Sequence, residues 1–319
     1  MIGERYRSSL TAIVGLIVLF GYFAWQQPLI LSPFGVTLSV NQGTTLAIAT
    51  LAQLIVVLTG GVDLSVGAIV ALTNAIAATY MGTHPAGAVG VLLLSLAAGT
   101  LAGWLNGVIV AYGRIQPIIV TLATLYIYTG VGLMVRPQPG GEVPGWFANA
   151  LTGSWGYLPF ALLFLLAVII LVWLPLRRSR LGRAIQAIGD NREGARVSGI
   201  NVQRTTMWAY TAGGLLAACA GLFLTAQTTS GDATIGTTYT LNSVAAVVFG
   251  GAVLGGGRGV ALGPLFGAYF LSLLISVLFA TGISPFYQNL LQGAILVVVL
   301  SVANLWRLRT RNWLHVLRS

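Results

Sequence analysis

Sixteen arginines punctuate a chain that is otherwise almost free of charge, and their positions limit what it can fold into. A charge in hydrocarbon costs several kcal/mol, so each Arg marks backbone that stays outside a lipid core. Between them run apolar stretches long enough to cross a bilayer, near 9–31, 43–59, 66–82, 88–112, 115–135, 158–176, 205–226, 241–257, 260–281 and 286–304. The chain is 56% hydrophobic and 7% charged, and a soluble fold of 319 residues would expose far more charge. The expected fold is all-α and polytopic, a single transmembrane domain over 1–319 with about ten spans of roughly 20 residues each. Arg5 and Arg7 ahead of 9–25 resemble a secretory signal, but no small-x-small cleavage site follows, so this stretch is expected to remain as a first helix.

Orientation follows from the same residues. With both termini in the cytosol, fifteen arginines fall on the cytosolic side and Arg136 alone falls outside. The opposite orientation reverses that ratio, so N-in and C-in is expected. The +10 charge then reads as cytosolic Arg beside an anionic lipid leaflet, and no nucleic-acid partner is expected. Residues 136–157, rich in Pro, Gly and Trp, form an external loop with aromatics at headgroup level. Residues 177–204 form the longest cytosolic connector and carry seven Arg with Asp190 and Glu193. The 41 glycines let helix backbones approach closely, which argues for a tightly packed bundle.

Several chemistries are excluded. There is no Lys, so no Gly-Lys-Ser/Thr loop can cradle a nucleotide, and any ATP and its Mg must be bound by a partner. His84 and His315 lie far apart near membrane edges, too few for a metal site, and the single Cys219 allows no disulfide framework. No nucleophile–base–acid set exists among so few His and acids. No catalytic residue, metal or resident cofactor is expected, and the chain is not expected to be an enzyme.

Polar side chains inside the spans remain. Asp63, in GGVDLSVG, is the carboxylate nearest the apolar interior. It either caps a helix beginning near Leu64 with Ser65 assisting, or lines a path at a helix broken by Gly60, Gly61 and Gly67. Uncharged polar groups recur at Asn41, Gln42, Thr44, Thr45, Gln53, Thr73, Asn74, Asn106, Thr121, Thr124, Asn242, Ser243, Gln288, Asn289 and Gln292. Such groups either bond helix to helix or bind a polyhydroxy solute between aromatic walls, for which Trp104, Tyr126, Tyr128 and Phe286 are available. VVLTGGVDLSVG (56–67) and AVVFGGAVLGGGRG (246–259) also echo one another, as an internal duplication would. Residues 181–205 read as a short amphipathic helix bounded by Gly189 and Gly199, capped by Asp190 or Asn191, with Ala195 and Val197 as a small contact face. It either lies on the membrane surface or docks a cytosolic motor.

GGVDLSVGAIVAL (60–72), GWLNGVIVAYGRIQPIIVTLATL (103–125), AIGDNREGARVSGINV (187–202) and LNSVAAVVFGGAVLGGGRGVALGPLFGA (241–268) together resemble the permease subunit of bacterial ABC importers of the ribose, xylose, arabinose and galactose type. The resemblance spans about residues 40 to 300. It implies a multi-pass protein of the bacterial inner membrane, working as two permeases (two copies or a paired paralogue) with cytosolic ABC ATPases and an external solute-binding protein. It implies an ATPase-coupling role for Gly189, Asn191, Glu193, Ala195 and Gly199, and it makes Asp63, Ser65, Asn106, Thr121 and Asn242 candidates for the substrate path. Asn242 stands where such permeases often carry an acid, and Gly194 where Ala is usual. LAIATLAQLIVVLTGG lacks the Gly-Met-Thr common before the apolar run. A secondary transporter using Asp63 as an ion site, a branched-chain amino-acid permease and a membrane scaffold are the competing readings.

Overall fold

The computed structural model describes residues 2–82 and 85–282, with scattered positions between 287 and 297. Among them, seven helices are long and apolar enough to cross a membrane: Ser9–Gln26, Pro33–Leu58, Gly87–Gly113, Pro117–Val135, Phe160–Arg178, Val202–Thr228 and Leu262–Ala280. They belong in order to α1 (Ile2–Gln26), α2 (Pro33–Leu58), α4 (Pro85–Gly113), α5 (Pro117–Val135), the pair α7 (Phe160–Val168) and α8 (Leu174–Arg178), α11 (Val202–Thr228) and α13 (Leu262–Ala280). α7 and α8 are joined by a π-turn at Ile169–Trp173. Two shorter helices complete the bundle, α3 (Val66–Tyr80) with 15 residues and α12 (Thr237–Phe249) with 13. At 1.5 Å per residue they reach only about 20 Å, short of a ~30 Å hydrocarbon core.

The boundaries differ from the hydropathy reading where capping chemistry takes over. α2 starts at Pro33, ten residues before the apolar run, because Ser32 accepts a hydrogen bond from Gly35 N at 3.1 Å and Pro33 occupies the first helical position. The expected span 241–257 ends as a helix at Phe249; residues 250–261 then run irregularly, with Gly251, Gly256 and Gly257 at positive φ. The expected span at 286–304 lies outside the described residues. Within 136–157 there is a short helix, α6 (Gly145–Thr152), and a two-stranded hairpin, β1 (Ser154–Trp155) with β2 (Leu158–Pro159). Trp155 there meets Phe160 edge-on at 5.0 Å.

α2 and α11 form the centre, and most of their residues are buried, whereas α1 lies at the rim with few buried residues. α4 and α11 cross where Gly103 faces Gly214: a methyl group on Gly103 would fall 2.8 Å from the Gly214 Cα. Only backbone fits there. Many hydroxyls in the bundle, such as Thr73, return to a carbonyl of their own helix, while others and the buried amides bond across helices. Asn74 Nδ2 donates to Thr225 Oγ1 (3.0 Å) and to the Ser230 carbonyl (2.9 Å), Thr45 Oγ1 to Gln227 Oε1 (3.1 Å), and Ser276 Oγ to Gln42 Oε1 (2.6 Å). Thr44 and Tyr269 hydroxyls pair at 2.9 Å. The helix-to-helix reading therefore describes these residues.

Candidate functional site

The end of the bundle that carries Arg114, Arg177, Arg178, Arg192, Arg204 and Arg258 holds two features that meet. The first is the break between α2 and α3, where the chain leaves α2 at Leu58, turns through Gly60 at φ 83° and enters α3 at Val66. Asp63 is 1% exposed in that turn. Its Oδ1 accepts from both Ser65 N (2.8 Å) and Ser65 Oγ (2.6 Å), the two-residue bridge by which a carboxylate substitutes for a backbone turn. Ser65 is the N-cap position of α3 and makes no side-chain cap of its own. Asp63 therefore closes the turn that leads into α3 and does not cap the helix, which starts at Val66, two residues after the start expected near Leu64.

Around this turn a network closes. Asn106 on α4 donates to Ser65 Oγ at 2.7 Å, and Tyr128 on α5 donates to Asn106 Oδ1 at 3.0 Å. Thr121 on α5 accepts from Leu64 N at 3.0 Å. Gln53 on α2, with its amide turned so that both ends are satisfied, donates to the Asp63 carbonyl (2.8 Å) and accepts from Asp63 N (3.2 Å). Four predicted path residues, Asp63, Ser65, Asn106 and Thr121, are therefore brought together, and they are bonded chiefly to one another and to nearby backbone. Among the described residues two buried oxygens here have no hydrogen-bond partner, Asp63 Oδ2 and the Tyr210 hydroxyl. Tyr210, fully buried and set against Gly61, was missed in the sequence because nothing in AYTAGG marks its depth.

Asn242 does not join this set; it lies 7% exposed on α12. Tyr128 is consumed by the network, while Trp104 (38% exposed) and Tyr126 (71%) face outward from this chain. His84, His315, Phe286, Gln288, Asn289 and Gln292 lie outside the described residues.

The second feature is the connector 181–205. It folds as two helices, α9 (Arg180–Asp190) and α10 (Arg192–Val197), and not as one. Ser179 caps α9 and Asn191 caps α10, its Oδ1 accepting from Gly194 N at 2.8 Å. Gly199, at φ 82°, closes α10: its N–H bonds to the Arg196 carbonyl and that of Ile200 to the Ala195 carbonyl, both at 3.0 Å. This paired closure needs the left-handed conformation that Gly adopts freely. Ala195 is buried as expected, but Val197 is 81% exposed, so the two do not share a contact face. Glu193 is exposed in the first turn of α10, where its charge complements the helix dipole.

Gly189 joins the two features. A methyl group there would overlap the Leu58 carbonyl and Gly257 N, which are themselves hydrogen-bonded at 3.0 Å. A methyl on Gly256 would fall 2.7 Å from the Gly189 Cα and 2.8 Å from Gly60 N. The two echoing stretches, 56–67 and 246–259, thus meet at their glycines, and the last turn of α9 rests on the point of contact.

A helical bundle of many apolar spans, with two helices cut short among the described residues and an arginine-rich helical hairpin seated where the interruptions meet, is the architecture of a polytopic membrane protein. The chain belongs to the family described as branched-chain amino acid transport system / permease component, which matches residues 35–300. It is 35% identical over 299 residues to the ribose import permease protein RbsC of Escherichia coli (strain K12), covering 92% of each chain. It is 32% identical over 283 residues to the fructose import permease protein FrcC of Rhizobium meliloti, covering 85% of this chain and 78% of that one. Against the galactose/methyl galactoside import permease protein MglC of E. coli (strain K12) it is 29% identical over 313 residues, covering 92% and 93%. No solved structure matches it. The chain is therefore a permease subunit of an ABC importer, a multi-pass protein of the inner membrane and not an enzyme. The ion-coupled alternative built on Asp63 gives way to this assignment.

Proposed function

We propose that this permease imports a sugar or a related small polar solute, delivered by an external binding protein and driven by separate cytosolic ATPases that dock on α9 and α10. In this reading the chain crosses the membrane about ten times with both termini in the cytosol, and two permeases, identical or paired, enclose the path. The observation that carries it is the seat of Gly189 on the Leu58–Gly257 contact, with sugar permeases among the relatives. Asn191, Ala195 and Gly199 build the docking hairpin, and Glu193 and Val197 offer exposed contacts on it. When the ATPases close on ATP, a push on α9 reaches both interrupted spans at once, because no side chain intervenes to absorb it. Asp63, Ser65, Asn106 and Thr121 frame the path by holding the start of α3 in register with α2, α4 and α5 while Gly60 turns.

The test is reconstitution in liposomes with the cognate ATPase and binding protein, following labelled D-ribose, D-fructose and D-galactose. ATP-dependent uptake of at least one sugar, lost when residues 189–199 are replaced by a Gly/Ser linker, is the expected result. Gradient-driven uptake by the permease alone would overturn the proposal.

A further inference from the structure

Where α12 packs on the start of α3, beside Gly67, lies a hydroxyl that the bundle does not use. α12 begins at Thr237 with Gly236 as its N-cap, so no side chain caps it. Its first turn, α3 and α5 together border a cleft lined by Ala68, Leu125, Thr129, Thr234, Thr237 and Thr240. Thr240 is 5% exposed, and among the described residues its Oγ1 has no hydrogen-bond partner. A buried hydroxyl left unpaired costs about 1–3 kcal/mol, so its persistence needs an explanation. The other three hydroxyls donate within the protein: Thr129 Oγ1 to the Leu125 carbonyl (2.8 Å), Thr237 Oγ1 to the Thr234 carbonyl (3.2 Å) and Thr234 Oγ1 to Asp232 Oδ1 (2.8 Å). Their donors are occupied and their lone pairs are not all engaged, so the cleft presents mainly acceptors.

An acceptor-lined cleft beside Asp232 disfavours an anion and favours a solute rich in O–H donors. Thr240 can donate in return, and the positive end of α12 suits the oxygen that accepts. Tyr126 is not part of the cleft's lining, but it stands one helical turn before Thr129 on α5 and is 71% exposed, so its ring is free to meet a solute at the cleft's mouth. The cleft has a volume of about 10 Å³, room for roughly one oxygen atom in the state seen here. It is therefore a contact point on a path and not an enclosed chamber.

We infer that this cleft, with Thr240 and Thr237 as hydrogen-bonding groups and Tyr126 as a stacking face beside it, is where the permease touches its cargo. This rests on the importer reading above and adds the contact residues. The test uses the reconstituted importer with labelled D-ribose, D-fructose and D-galactose, comparing Thr240→Val, Thr240→Ser, Thr237→Val and Tyr126→Ala. Loss of one hydrogen bond is expected to lower sugar uptake about 3- to 10-fold in Thr240→Val and Thr237→Val. Thr240→Ser should restore it, and ATPase stimulation by the loaded binding protein should persist in all four. If Thr240→Val is not recovered as a monodisperse protein, Thr237→Val and Tyr126→Ala, whose side chains are exposed, decide the question. Uptake equal to the parent in the folded variants overturns this inference and leaves the importer reading standing. A parent complex that moves none of the three sugars overturns both.

Discussion

The turn at 59–65 and the cleft at the start of α12 both place polar side chains deep in an apolar bundle, yet they use them in opposite ways. Around Asp63, hydrogen bonds run from Gln53 through Asp63, Ser65 and Asn106 to Tyr128, tying the turn and α3 to α2, α4 and α5. Around Thr240 the hydroxyl is buried and unanswered. A cross-linked network resists change because losing a member strands a partner, even though Asp63 Oδ2 within it is itself unpaired, whereas a hydroxyl with no partner strands nothing when removed. The contrast separates residues that hold the permease together from residues with capacity left for a solute.

Three substitutions would break or sharpen this contrast. The largest effect is expected from Gly189→Ala, because its methyl group would overlap the Leu58 carbonyl and Gly257 N. ATP-dependent uptake should fall at least about 10-fold, the equivalent of 1.4 kcal/mol or more in coupling. Measuring uptake and ATPase rate side by side would show hydrolysis retained and transport lost; transport at the parental rate would remove Gly189 from the drive path.

Asn106→Ala comes next. It strips Ser65 Oγ of a donor in a fully buried place, while Tyr128 keeps the Ala102 carbonyl at 2.8 Å, and it should cost about 1–3 kcal/mol. Thermal unfolding in detergent should show a clear drop, while Thr240→Val in the same assay should stay within about 0.5–1 kcal/mol of the parent. Equal losses in the two variants would erase the distinction between frame and cleft.

The smallest effect belongs to Asn191→Ala, which removes the cap of α10 and should destabilise that helix by about 1 kcal/mol. Co-purification with the ATPase should weaken several-fold, and Asn191→Asp, which keeps the accepting oxygen, should recover it.

Much of this was readable along the chain because the relevant physics is local. Arg placement and apolar runs marked most of the spans, and the Gly60–Gly61 pair marked the break. Asn191 was one of two cap candidates, and the structure selects it over Asp190 because α9 runs through residue 190 before stopping. Other features depended on residues far away in sequence. Gln53 was one polar residue among many until Asp63 came to lie against it, and Asn106 finds Ser65 across 41 residues. Val197 looked like a contact residue beside Ala195, but successive positions on a helix turn by about 100°, and packing against α9 and α11 chose the Ala195 side. The early end of α12 was hidden because GGAVLGGG reads as apolar; its glycines at positive φ, and not its hydropathy, stop the helix.

Sequence alone determined that this chain lives in a bilayer, roughly where it crosses, and that it carries no nucleotide-binding loop. Those conclusions follow from the cost of moving a charge out of water and from the absence of Lys, both properties of residues taken one at a time. Tertiary structure decided which polar groups are spent and which remain, and that α9 rests on both interrupted spans through Gly189. Hydrogen bonding and backbone contact are properties of pairs, and the pairs exist only once distant segments are packed together.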